Sequence, residues 1–194
     1  VVLSLAKLGV EHIHAWDFDT VAEHNIANQA FGLSDIGESK VDALARLVTR
    51  DTGTAISTHN ERVDGSQQMG DVVFLLTDTM ASRREIFEKS LKYKLMTKLV
   101  IETRMGSDNG RVYAINPNKR NHIRAWEETL YSDDEAEVSA CGASVSVGPT
   151  AELIAGLAVW QMIRWFSVEQ GGEDSLENET ILSMRPLLTV SRTF

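Results

Sequence analysis

The run Val72-Val73-Phe74-Leu75-Leu76 constrains the fold more than any other stretch of this chain. Consecutive apolar residues without alternation read as a strand buried on both faces, and the strand is expected over residues 71–76. A second buried strand is expected over 98–102, with shorter ones over 12–16, 55–59 and 111–115. Helical spacing falls between them. Residues 1–9 read as the middle and end of a helix, with Gly9 at its C-cap. Residues 40–50 place Val41, Leu44 and Leu47 on one face, and 82–93 also reads as helix. Such alternation predicts an α/β chain with a Rossmann-like, mostly parallel sheet flanked by helices.

After the turn Asn116-Pro117-Asn118 the periodic signal fades up to residue 140, and 132–137 reads as an acidic loop. A helix is expected over 150–166, led by Gly148-Pro149, where a proline in the first turn costs nothing. Its small residues suit close packing in the core or against a second copy. A polar loop over 171–178 and a strand pair over 180–184 and 187–190 complete a C-terminal helix and strand extension. The whole of 1–194 reads as a single domain.

Bulk composition removes several classes of function. Asp plus Glu is 28 against 19 Lys plus Arg, a formal charge of -9, which repels nucleic acid phosphates. No apolar run approaches membrane-span length. Cys141 is the one cysteine, so there is no internal disulfide and no Cys-rich zinc site, in keeping with a cytoplasmic protein. The 5 histidines form no ligand pattern.

Chemistry is best placed at the strand tips. In a dinucleotide-type βαβ unit the acid at the end of the second strand binds ribose hydroxyls, and Asp17 holds that position. The matching Gly-rich phosphate loop would lie upstream of Val1. Read without that unit, Asp17 is a turn or cap residue. Asp78, after the buried strand, is placed either to take a hard cation or to cap the next helix. Lys40 opens a helix and is either a solvated lysine or a phosphate partner. Arg83 and Arg84 sit in a first helical turn, where cations are disfavoured unless an anion is near. Cys141, in a small-residue loop before a helix, is either a reactive thiol or a small buried hydrophobe.

These residues form a series. Leu5-Ala6-Lys7-Leu8-Gly9-Val10, Asp17-Phe18-Asp19-Thr20-Val21 and Asn25-Ile26-Ala27-Asn28-Gln29 stand in order. They are followed by Asp35-Ile36-Gly37-Glu38-Ser39-Lys40 and by Thr77-Asp78-Thr79 with Arg83. Order and spacing resemble the ThiF/MoeB/HesA family, the bacterial relatives of ubiquitin-activating enzymes. The match covers about residues 1–115 and returns at 141–166. The resemblance implies an ATP- and Mg²⁺-dependent adenylyltransferase. Such an enzyme activates the C-terminal carboxylate of a ubiquitin-like β-grasp carrier protein and works as a homodimer. It implies Asp17, Asp19, Asn25, Lys40 and Asp78 as nucleotide contacts, Asp78 as the Mg²⁺ ligand, and Asp78, Lys40 and Cys141 as catalytic. Cys141 stands where ThiF-like members carry a cysteine able to join the carrier.

Asn28 stands where the family carries an arginine, and the paired CxxC motifs are absent. Arg104 is then a candidate substitute cation. The departures leave open a non-catalytic activating-enzyme-like subunit. A nicotinamide-dependent oxidoreductase on a similar fold is the remaining alternative.

Overall fold

The computed structural model describes residues 1–135 and 147–194. The chain forms two compact units, Val1–Val63 and Asp64–Phe194. In the first, helix α1 (Val2–Lys7) packs on α2 (Lys40–Thr52), and strand β1 (His14–Trp16) pairs in parallel with β2 (Ser57–His59). Helix α2 buries Val41, Ala43 and Val48 and ends at Gly53, whose left-handed backbone (φ 74°) closes it as a C-cap.

The second unit holds a five-stranded sheet. Strand β3 (Val72–Leu75) pairs in parallel with β4 (Leu99–Met105). Strands β5 (Asn109–Ile115), β6 (Glu179–Met184) and β7 (Leu187–Arg192) are added in turn, each antiparallel to its neighbour. Helix α3 (Met80–Ile86) runs on into a π turn, Phe87–Leu91. It and α4 (Arg120–Glu127) cover one face of the sheet. Helix α5 (Gly148–Glu169) covers the other. The Rossmann-like α/β class with a C-terminal helix and strand extension is therefore present.

Two-residue alternation along the strands sorts the core. Val100, Tyr113 and Ile115 meet Phe87, Leu91, Ile123 and Trp126. Their sequence neighbours Leu99, Ile101, Val112 and Ala114 meet Ile154 and Ala158 of α5. The run over β3 and β4 is apolar because both faces are covered. Helix α5 thus packs in the core, and its opposite side leaves Leu153 and Trp160 exposed.

Close packing of α5 explains Gly110. A Cβ there would stand 2.5 Å from Ile154 Cδ1 and 2.9 Å from the Arg104 carbonyl oxygen. Gly110→Ala should therefore cost about 1–3 kcal/mol through overpacking, read as a lower urea midpoint at unchanged m-value.

Several boundaries differ from expectation for local reasons. Helix α3 begins at Met80 because the Thr79 hydroxyl accepts from Ser82 N at 3.1 Å, a hydroxyl N-cap. Strand β4 continues past Glu102 to Met105 because two arginines neutralise that charge inside the unit. Helix α4 lies wholly within the stretch of faded signal. It rests on only two buried anchors, Ile123 and Trp126.

Candidate functional site

The first unit gathers three of the expected residues. Asp17 directly follows β1, and its Oδ1 accepts from the Asp19 backbone amide at 2.9 Å, turning the chain at the strand tip. Residues 19–21 are then stitched to the start of α2. Val21 N donates to Glu38 O (2.8 Å), Gly37 N to Val21 O (2.8 Å) and Lys40 N to Asp19 O (2.9 Å). Gly37 makes this possible with a φ of 88° that other residues rarely adopt. The result places Lys40 Nζ 2.7 Å from Asp19 Oδ2 and 4.0 Å from Asp17 Oδ2. The Lys40 side chain is only 15% exposed, against 38% for Asp17 and 51% for Asp19. The lysine is therefore a held cation with two open carboxylates beside it.

The loop before it is braced by Arg46, which donates to Asp35 Oδ1 (2.7 Å) and Glu38 Oε2 (2.6 Å). The Gly32 amide and then Arg46 hold the Asp35 carboxyl below its ordinary range. Asn25 is buried, and its Oδ1 accepts from Ala22 N at 2.9 Å, so its carbonyl serves the local turn and only its amide nitrogen is left for a ligand. Ser39 occupies the N-cap of α2 without using its side chain there, and its buried hydroxyl has no hydrogen-bond partner among the described residues. A spare hydroxyl next to a held lysine at the start of a 13-residue helix suits a phosphate.

Asp78 belongs to the second unit, at the tip of β3. Thr79 does the capping of α3, which separates the two roles open in the sequence. The Asp78 carboxylate is exposed, and its charge acts on the nearby Arg83 guanidinium. Its carbonyl oxygen accepts from Arg83 Nη1 at 3.3 Å.

The anion that Arg83 implied is internal. Its Nε stands 2.7 Å from Glu102 Oε1, and its Nη2 donates to Thr103 O at 3.0 Å. Arg104 is committed in the same way. Its Nε lies 3.0 Å from Glu102 Oε2, and its terminal nitrogens donate to Thr129 O (2.7 Å) and Thr129 Oγ1 (2.9 Å). Glu102 also accepts from Trp126 Nε1 at 3.1 Å. Burial pulls the Arg83 guanidinium below its usual range and Glu102 opposes that shift. Arg104 is thus no free substitute for the missing arginine at position 28.

Beside α3 lies a cavity of about 670 Å³ lined by Met80, Ala81, Arg84, Tyr131 and Asp133 among others. Asp133 was legible only as part of an acidic run. Its carboxylate accepts from Met80 N (2.5 Å) and Ala81 N (3.1 Å). Cys141 lies outside the described residues.

A metal would find no three-residue cluster of His, Cys, Asp or Glu among the described residues. Mg²⁺ bound with a nucleotide needs only one or two carboxylates, the rest of its shell being phosphate and water. The exposed Asp78 carboxylate fits that demand.

Strand-tip acids, a held lysine and a spare hydroxyl thus stand together at a helix start in an α/β protein. The chain belongs to the ThiF family, whose model matches residues 1–189. Solved structures agree on the fold. PaaA is 18% identical with a TM-score of 0.72, covering 98% of this chain and 58% of its own. Escherichia coli MccB with ATP is 15% identical with a TM-score of 0.70, covering 99% and 59%. The same enzyme with AMPCPP and MccA is 15% identical with a TM-score of 0.73, again covering 99% and 59%. The chain thus spans about three-fifths of the length of these proteins. Comparison with curated protein sequences gave no match. No helix among the described residues is long and apolar enough to cross a membrane.

Proposed function

We propose that the chain is the nucleotide-binding part of an ATP-dependent adenylyltransferase that activates a C-terminal carboxylate. The carrier of that carboxylate is a ubiquitin-like β-grasp protein, and the working form is a homodimer. The observation that carries the reading is the release of Asp78 from capping duty, which leaves an exposed carboxylate after a strand of a ThiF-family chain open to a cation. MccB, of similar fold, has been solved with ATP and with MccA.

Mg²⁺ supplies charge neutralisation at the phosphates when bound. In the reaction, Asp17 and Asp19 accept from the ribose hydroxyls and fix the nucleotide's orientation. Lys40 and the Ser39 hydroxyl face the phosphates, and Lys40 offsets charge that builds on the departing pyrophosphate. Asn25 offers its amide nitrogen to the same phosphates. The carboxylate attacks the α-phosphorus, the bond to pyrophosphate breaks, and an acyl adenylate remains. Cys141 then attacks the acyl carbon as thiolate, forming a thioester and releasing AMP.

The test is exchange of labelled pyrophosphate into ATP by the full-length protein, with a β-grasp protein ending in a free carboxylate. Exchange is expected, and blocking that terminus as an amide should remove it. Lack of exchange with every free-carboxylate substrate, together with capture of a β-grasp protein, would favour the non-catalytic subunit suggested by Asn28.

Two finer outcomes separate the roles. Lys40→Ala should lower kcat for exchange by about 10²-fold, the scale of losing one preorganised charge donor. Asp17→Ala should instead raise KM for ATP about 10- to 100-fold, as expected for charged hydrogen bonds lost from binding. Cys141→Ser should leave exchange intact and remove any thiol-sensitive carrier adduct on denaturing gels.

A further inference from the structure

Glu102 is fully buried, yet it holds two guanidinium groups that reach on to two separate stretches of chain. Arg83 carries the link to the carbonyl oxygen of Asp78. Arg104 carries it to Thr129, through both the carbonyl oxygen and the hydroxyl. Four residues on, Asp133 returns to the start of α3 and takes the amides of Met80 and Ala81, directly after the Asp78 turn. With the chain itself joining Thr129 to Asp133 and Asp78 to Met80, these contacts close a ring through Arg83, Glu102 and Arg104. The cavity of about 670 Å³ lies against this ring, with Asp133, Ala81 and Met80 in its wall.

We propose that Arg104 and Asp133 are positioning residues for Asp78, acting through a closed circuit that fixes the turn between β3 and α3. The inference rests on the activation reading for its functional half. A buried charge cluster is seldom needed for stability, since apolar residues of similar volume serve as well or better. What apolar residues cannot do is place directed donors on Asp78 O and Thr129 O at once. Arg83 serves Asp78 O, and the Arg104 guanidinium has the two spaced donors that take both Thr129 O and Thr129 Oγ1, a fork that a lysine ammonium lacks.

Two variants of the full-length protein test this. Arg104→Lys keeps a charge beside Glu102 but cannot serve Thr129 twice. Asp133→Ala removes an exposed side chain and leaves the buried cluster intact. Both should lower hydrogen-exchange protection at the Met80 and Ala81 amides. Both should raise the Mg²⁺ concentration for half-maximal pyrophosphate exchange about tenfold, the ratio expected from losing one charge-assisted hydrogen bond. The maximal rate should fall much less, and Asp133→Asn should recover part of both effects. A purely structural role would lower the thermal midpoint and the active fraction without moving the Mg²⁺ requirement. Folded variants with the wild-type Mg²⁺ requirement overturn the proposal, as does wild-type amide protection in Arg104→Lys. Should the wild-type chain show no exchange, the activation reading fails by itself. The circuit is then decided by amide protection: loss supports it and retention overturns it.

Discussion

Asp78→Ala is expected to lower ATP–pyrophosphate exchange by about 10³-fold or more, the scale of removing a main electrostatic element from a phosphoryl site. Thr79 caps α3, so the Asp78 side chain is not needed to start the helix. Its carboxylate is exposed and acts on Arg83 only through charge, so stability should change by no more than about 0.5 kcal/mol. Activity and folding are therefore separable at this position, which is rare for a strand-tip acid. Asp78→Asn should fall nearly as far as Asp78→Ala, because an amide keeps the shape but not the charge that attracts a hard cation. Removing Mg²⁺ with a chelator should copy the variant in the wild-type protein, and the two losses should not multiply. Near-wild-type exchange by a well-folded Asp78→Ala protein at saturating ATP would remove the metal role and the mechanism with it.

How much of this was legible in the sequence depends on the range of the interactions. The strands were legible where burial on both faces leaves an unbroken apolar run, as over Val72–Leu75. Asp17, Asp19 and Lys40 were legible because each stands at a fixed offset from a strand end or a helix start. Their meeting within 4.0 Å depends on the stitching of residues 19–21 to 37–40, which Gly37 permits. Other features are set by partners far along the chain. Glu102 looked like the end of a strand because a carboxylate disfavours a buried position. It is interior because Arg83, 19 residues earlier, and Arg104 neutralise it. Arg104 was read as a loose cation for the same reason: its partner Thr129 lies 25 residues on. Asp133 had no local signal at all, since a carboxylate in an acidic loop gives no hint that it will meet the amides of Met80 and Ala81.

Glu102→Gln is expected to cost about 3–5 kcal/mol of folding stability, the largest single-site loss in the chain outside its apolar core. Glu102 is 0% exposed, and its partners Arg83 and Arg104 are 5% and 7% exposed. Neither guanidinium can turn to water when the carboxylate is neutralised. Burial already draws Arg83 below the ordinary arginine range, with Glu102 as the leading opposition. The glutamine still accepts from Trp126 but no longer balances two buried cations. Glu179 offers the control. It too is 0% exposed, but its partners Arg111 and Arg192 have side chains 48% and 59% exposed. Those arginines can rehydrate, so Glu179→Gln should cost only about 1–2 kcal/mol, the loss of charge-assisted hydrogen bonds. Urea unfolding at constant m-value measures both. Equal losses at the two sites would show that partner burial does not set the penalty. Combining Glu102→Gln with Arg83→Met and Arg104→Met should return much of the stability, because it removes the stranded charges. It should not return the low Mg²⁺ requirement, because methionine has no donors for Asp78 O or Thr129 O. A triple variant that recovers both would reduce the buried cluster to packing, and one that recovers stability alone separates the cluster's two roles.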